Sequence, residues 1–524
     1  MLFFAFSPER LTMRQTMLTR NKLYLPLALI IFLQMACMAH AIDLDKKVIK
    51  TRLDNGLTVL MLERKFSPTV SLYIRYRVGA VDETAGRTGA AHFLEHMMFK
   101  GTPTIGTKNF AKEKKLLLQI EQTGQALDDE RMRGDRADQK RIASLAAKLK
   151  KLQDEHRKYY TPNEIDRLYT ENGGQNMNAS TGQDITTYFI SLPSNKIELW
   201  ARIESERLIN PVFREFYTER DVILEERRQR VETSPDGKLY ESFMKEAYKV
   251  HPYGLPVIGL QQDIGRLNQT AIRQIHQKYL SPEQMVIAVV GDINPQKTIK
   301  LISKYFGRIP RGFHKPPSIP VEPPQTGERT VEVLFDASPS IIIGYHKPTA
   351  PSHEDYVFDL LETILSKGRT SRLYSSLVLK LQIAESISVN NGTPAARYPN
   401  LFTIFARPRQ PHTNDELRDA ILQELENIKN IPVPDEELAK AKKQLKMDYI
   451  KSLDSNSDLA SILSYHELLH GDYRYFSNYL SIIDKLTAAD IQATAAKYLS
   501  AENRTIAVLN RGINKKTNEG KNEK

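Results

Sequence analysis

Two apolar runs rich in β-branched residues, LTVLMLERK at 57–65 and TVSLYIRYRV at 69–78, are set off by polar breaks and predict neighbouring strands. Further on, LNQTAIRQIHQKYLSPEQMVIAVV at 267–290 reads as an amphipathic helix, a Lys-Tyr-Leu-Ser turn and an apolar strand. The same succession returns without a gap as LTAADIQATAAKYLSAENRTIAVL at 486–509, an offset of 219 residues. The chain is therefore read as two copies of one α+β unit. A weaker match sets FLEHMMFKG at 93–101 against LLETILSKG at 360–368, an offset of 267 that places Glu95 opposite Glu362, His96 opposite Thr363 and His92 opposite Asp359. The offsets differ by 48 residues, so the first copy is expected to carry an insertion of about that length between Gly101 and Leu267.

Composition locates that insertion. From about 112 to 160 the chain is poor in β-branched and aromatic residues and rich in Lys, Arg, Glu, Gln and Ala, with Ile142, Leu145, Leu149 and Leu152 at helical spacing. This predicts a helical hairpin or short coiled coil whose polar helices bury little against the core. The Pro-rich stretch 311–328 reads as an extended linker. The expected organisation is a first domain over 42–310, the linker, a second homologous domain over 329–511 and a polar tail over 512–524. The net charge of +11 arises from basic and acidic residues interleaved along the chain, so it indicates a mixed solvated surface and no nucleic-acid partner.

At the N-terminus, Arg14, Arg20 and Lys22 precede the apolar run LYLPLALIIFLQMACMA, which ends in Ala39-His40-Ala41, a small-x-small cleavage pattern. Residues 1–41 are expected to be a signal peptide that delivers a periplasmic protein with no spanning segment left, the alternative being a membrane anchor facing the periplasm. Cleavage removes Cys37, the only cysteine, so any metal must sit on His, Asp or Glu.

Two stretches carry candidate metal chemistry. In GAAHFLEHMMFKGT, 89–102, His92 and His96 lie four apart and share one helix face, with Glu95 between them in angle. The apolar flanks bury this helix, and buried imidazoles and a carboxylate require strong partners. In YTERDVILEERRQR, 217–230, Glu219 and Glu226 project from one face while Glu225 turns away; the helix reads either as a charged surface or as a chelating glutamate backed by a second carboxylate. A third stretch, HELLH at 466–470, matches a better-known zinc pattern, but Gly471-Asp472 break the apolar continuation and no glutamate follows until Glu502. It is expected to be a decoy.

Taken in order, HFLEH with MMFKGT, ENGGQNMNASTGQDITTYF, ERDVILEE, HPYGLPVIG and GRTSRLY resemble the pitrilysin/insulinase family of inverted-motif zinc metallopeptidases, in the bacterial branch similar to mitochondrial processing peptidase. The resemblance runs from about residue 48 to 510 and implies a repeated α+β domain. It implies one Zn2+ per chain on His92, His96 and Glu226, with Glu95 as general base and Glu219 as a supporting carboxylate. It also implies an edge strand containing Asn178 and Ala179 along which a peptide lies. The expected activity is hydrolysis of peptides or unfolded segments by a water that Glu95 activates. A non-catalytic or scaffold subunit of a protease-like complex is the alternative.

One departure bears on assembly. Complete relatives carry an arginine and a tyrosine seven apart in the second copy, and LVLKLQIAE, 377–385, puts Val378 and Glu385 there. Either Lys380, or Arg372 with Tyr374, substitutes locally, or the active form is a heterodimer with a related metal-free subunit that supplies the pair; a homodimer is the alternative.

Overall fold

The computed structural model describes residues 46–279, 281–312 and 318–512, so the expected signal segment and all but the first residue of the tail lie outside the described residues. From Lys50 onward the chain forms one unit containing two mixed sheets. Among the described residues helix accounts for 51% and strand for 18%, as an α+β class requires.

The first sheet collects β1 (Ile49–Arg52), β2 (Thr58–Glu63), β3 (Thr69–Tyr76), β4 (Gln175–Thr181), β5 (Thr186–Pro193) and β6 (Met285–Gly291) in the order β1-β2-β6-β3-β5-β4. The second collects β7 (Arg329–Phe335), β8 (Ser340–Lys347), β9 (Ala384–Thr393), β10 (Asn400–Pro408) and β11 (Arg504–Arg511) in the order β7-β11-β8-β10-β9. In both, a parallel pair (β2 with β6, β7 with β11) is followed by three antiparallel neighbours. The sheets are thus one topology used twice, with β1 added to the first. The strands aligned by the 219-residue offset, β6 and β11, occupy equivalent places.

Each copy also lends a helix to the other. Helix α7 (Pro235–Ala247) presents Leu239, Phe243 and Ala247 to Val333, Ile342, Ala507 and Leu509 of the second sheet. Gly344 on β8 is required there, because a Cβ at that position would stand 2.4 Å from the Phe243 ring. In return α13 (Asn456–His470) lies across β3 and β6, with Arg75 donating to Ser461 and Ser464 and Tyr73 hydrogen-bonded to Ser457. The HELLH residues belong to this docking helix. Glu467 pairs with Lys50 at 2.5 Å, and the rings of His466 and His470 lie 4.8 and 4.2 Å from Tyr475.

Between α1 (Ala90–Met97) and β4 the first copy contains two antiparallel helices, α2 (Phe110–Arg131) and α3 (Gln139–His156), followed by α4 (Glu164–Glu171). At the same point the second copy passes from α10 (His353–Ser366) to β9 through the short π-helical turn Tyr374–Lys380. The expectation that this hairpin buries little is corrected by the structure. Ile120, Leu127 and Leu149 are buried in the first core, and Ile142, Leu145 and Leu152 pack against it. Glu113 is held by His156 on one side and by Arg214 on the other, and Arg214, fully buried, also donates to the carbonyls of Lys100, Thr102 and Ile105. The low aromatic and β-branched content described the outer faces and hid a narrow apolar seam with a buried ion cluster at its base.

Candidate metal centre

Helix α1 is placed from both ends. Its N-cap, Gly89, has φ +84°, and a Cβ there would meet the Ile258 carbonyl oxygen at 2.4 Å, so the HPYGLPVIG segment packs directly on the start of the helix. Glu83 accepts from the backbone N–H of Gly89 and Ala91 at 2.8 and 2.7 Å, satisfying donors that a helix start leaves open. Burial nevertheless pushes the Glu83 carboxyl up to about 8.

Helix α5 (Ile197–Ile209) leads through Asn210-Pro211 to α6 (Phe216–Arg227), which brings the third side chain. His92 Nε2 stands 3.8 Å from Glu226 Oε1 and His96 Nε2 stands 3.6 Å from Glu226 Oε2. One ligand atom from each of the three residues lies within 4.8 Å of the others, and they are the group of three metal-binding side chains found among the described residues. His96 Nδ1 hydrogen-bonds Glu219 Oε1 at 2.9 Å, which leaves Nε2 as the lone-pair nitrogen facing Glu226. Lys100 Nζ reaches the other oxygen of Glu219 at 2.5 Å. Burial pushes the Glu219 carboxyl up, but the hydrogen bonds from His96 and Lys100 outweigh it and hold the pKa below its ordinary value. Glu225 points away and pairs with Arg228 at 2.7 Å.

Burial, the neighbouring His96 and Arg230 together hold the His92 imidazolium pKa down to about 3, so this ring is neutral across the physiological range. Its Nδ1 is buried without a hydrogen-bond partner. Two imidazoles converging on one carboxylate are the donor set of a tetrahedral divalent-cation site with a fourth position open, so these residues fit a zinc ion.

Glu95 sits beside this group and accepts from Thr181 Oγ1 at 2.5 Å. Burial raises its pKa and the Thr181 hydrogen bond partly offsets the rise. Thr181 is the last residue of β4, and β4 ends the sheet with one edge unpaired. Asn178 and Ala179 pair with Phe189 and Tyr188 of β5, and the Asn178 side chain accepts from its neighbour's backbone N–H.

The sequence did not bring out Lys100, Thr181 or Arg230. Lys100 and Arg230 each lie one helical turn beyond a candidate ligand, His96 and Glu226, and that spacing was the available signal. In the second copy Val378 is buried in the core and Glu385 is exposed on β9. Arg372 is held by Glu437 at 2.7 Å, and Tyr374 is partly buried against the second core.

The fold and this constellation define a two-copy α+β protein with a candidate His-His-Glu centre in the first copy. The model for Insulinase (Peptidase family M16) matches residues 58–128 and 133–260, and that for the Peptidase M16 inactive domain matches 266–445. The chain belongs to this pitrilysin/insulinase peptidase family. It is 28% identical to the zinc protease PqqE of Helicobacter pylori, over 93% of this chain and 98% of that one. An uncharacterised zinc protease of Mycobacterium leprae is 25% identical over 90% of this chain and 93% of its own. Among solved structures, a protease from Helicobacter pylori superposes with a TM-score of 0.73 at 27% identity, covering 88% of this chain and 99% of that one. A peptidase M16 inactive domain from Pseudomonas fluorescens shares the fold at a TM-score of 0.69 and 16% identity, covering 89% of this chain and 98% of its own.

Proposed function

We propose that the protein is an exported zinc-dependent endopeptidase acting on peptides or unfolded polypeptide segments, with one zinc held by His92, His96 and Glu226. The observation that carries this reading is the approach of His92 Nε2 and His96 Nε2 to the two oxygens of Glu226, with the Glu95 carboxylate alongside. A zinc ion held there would supply Lewis acidity, polarising the scissile carbonyl and making water nucleophilic at neutral pH.

The side chains divide the remaining work. Glu95 takes the proton from the attacking water and returns it to the departing amine; its raised pKa brings it nearer to working pH, where both transfers are feasible. Thr181 holds one Glu95 oxygen and so fixes which oxygen faces the reaction. Glu219 orients the His96 ring, with Lys100 neutralising the carboxylate behind it. The open edge of β4, through Asn178 and Ala179, would bind the substrate as an added strand and bring a carbonyl to the centre. Orientation of this kind contributes several kcal/mol.

The test is hydrolysis of an internally quenched peptide by the wild type and Glu95→Gln. The wild type is expected to lose activity on chelation and regain it with zinc, while Glu95→Gln stays at least about 100-fold slower. Equal rates for the two proteins would remove the mechanism.

A further inference from the structure

Three arginines close helix α6, and they are used differently. Arg227 is buried, donating to the Gly259 carbonyl and pairing with Glu241 at 3.0 Å. Arg228 pairs with Glu225 on the outside. Arg230 turns to the candidate metal centre: its Nη1 lies 2.9 Å from Glu226 Oε1, while its side chain stays 70% exposed. Its backbone is fixed by two features. Residues Arg228–Glu232 form a π-helical turn, and a Cβ on Gly237 would stand 1.9 Å from the Arg230 carbonyl oxygen, so α7 begins in direct contact with it. The charge is therefore held at the rim of the centre, near enough to act on both His92 and Glu95.

Beside the candidate ligands and along β4, the other groups that could read substrate charge are engaged or uncharged. Lys100 is engaged by Glu219 and Glu215. Strand β4, QNMNAST, has no charged side chain. Val378 and Glu385 give the second copy no cation at the positions where the resemblance places an arginine.

We propose that Arg230 is a specificity-determining residue that receives a carboxylate of the substrate, an Asp or Glu side chain close to the scissile bond. The inference rests on the peptidase reading above. A guanidinium offers a planar fork matched to a carboxylate, and Arg230 already approaches one, that of Glu226, with its Nη1. Its exposed donors face solvent at the rim of the centre. An added carboxylate there pairs with a pre-positioned cation, whereas a lysine of the substrate meets like charge.

The experiment uses two quenched peptides that differ only by Glu or Lys beside the scissile bond, with wild type, Arg230→Lys, Arg230→Gln and Arg230→Glu. The wild type is expected to favour the Glu peptide about three- to tenfold in kcat/KM, as suits a partly exposed ion pair. Arg230→Lys keeps the sign of that preference, Arg230→Gln flattens it and Arg230→Glu reverses it. In parallel, fluorescence anisotropy measures binding of both labelled peptides to Glu95→Gln and to Glu95→Gln/Arg230→Glu. Weaker binding of the Glu peptide by the double variant supports the carboxylate site even if no peptide is cleaved, an outcome that would sink the peptidase reading alone. Normal cleavage with a Glu-to-Lys ratio unmoved by Arg230→Glu, and unmoved binding, overturns the proposal and leaves the peptidase reading standing.

Discussion

Asp359 occupies on α10 the place that His92 occupies on α1, and its surroundings show what the second copy did with a vacated ligand position. Its carboxyl accepts from Asn391 Nδ2 at 2.8 Å and from Tyr479 Oη at 2.7 Å. Burial raises its pKa to about 6, with the nearby carboxylate of Asp355 adding to the rise and these two hydrogen bonds opposing it. The unfolded value is near 3.9, so the fold binds the proton more tightly than the unfolded chain does. Stability from this residue is therefore complete below about pH 4 and is lost as pH rises through about 6. Asp359 is only partly buried as a residue, so a loss of about 1–2 kcal/mol is expected in place of the full linkage value. Asp359→Asn should accordingly gain stability relative to wild type between pH 4 and 7 in thermal or urea unfolding; a difference independent of pH would contradict this. The candidate ligand positions were legible because imidazoles four apart on an apolar helix are hard to satisfy otherwise. Thr181 and Arg230 were not, because a threonine in a polar strand and an arginine in a charged helix look like ordinary surface until the fold brings them to Glu95 and Glu226.

At the scale of elements, the internal repeat made the sheets readable: β6 and β11 lie where the 219-residue offset put them, each beside a parallel neighbour. The exchange of α7 and α13 between copies was not readable, since an apolar helix face does not say whose sheet it covers. The HELLH residues show the cost of reading a pattern alone, because their helix docks on β3 and β6 and its glutamate is held by Lys50. The hairpin was misjudged for a related reason. Few of its positions are apolar, yet they coincide with its inner seam, and Asp128 pairs with Arg220 on the helix that also carries Glu219 and Glu226. Excision of 122–160 would remove Leu127, Leu149 and His156 and leave Glu113, buried against Arg214, without one partner. Disrupting a buried ion cluster costs about 3–5 kcal/mol before the lost apolar burial is counted. The excised protein is expected to unfold or to lose bound zinc, whereas shortening only the exposed tip, 132–137, should change stability by less than about 0.5 kcal/mol. A folded, zinc-binding excision variant in circular dichroism and metal analysis would restore the reading of the hairpin as an independent appendage.

At the scale of the whole molecule, the two copies have diverged in chemistry while keeping one topology. The first gathers the candidate ligands, and the second carries Asp359 and Thr363 at the equivalent positions and Val378 and Glu385 at the positions where the resemblance places an arginine and a tyrosine. Arg372 is already held by Glu437, which leaves exposed Lys380 as the local alternative to a companion's arginine. The account therefore expects a companion subunit, related but without the metal motif, to raise the activity of the purified chain at least tenfold on titration; full activity of the isolated chain, unchanged by the companion, would remove this expectation. The charge balance and the apolar segment at 23–39 place no further constraint here, since no helix among the described residues is long and apolar enough to cross a membrane and that segment lies outside them.

The proposed chemistry requires His92, His96 and Glu226 to hold one zinc ion. Mass-spectrometric metal content of the purified protein, taken beside Glu95→Gln and Glu226→Gln, tests this most directly. About one zinc per chain is expected in the wild type and in Glu95→Gln, and at least about tenfold weaker retention in Glu226→Gln, since removing a ligand leaves two imidazoles to hold the ion. Equal zinc in the wild type and Glu226→Gln, or none in any of the three after reconstitution, would contradict it.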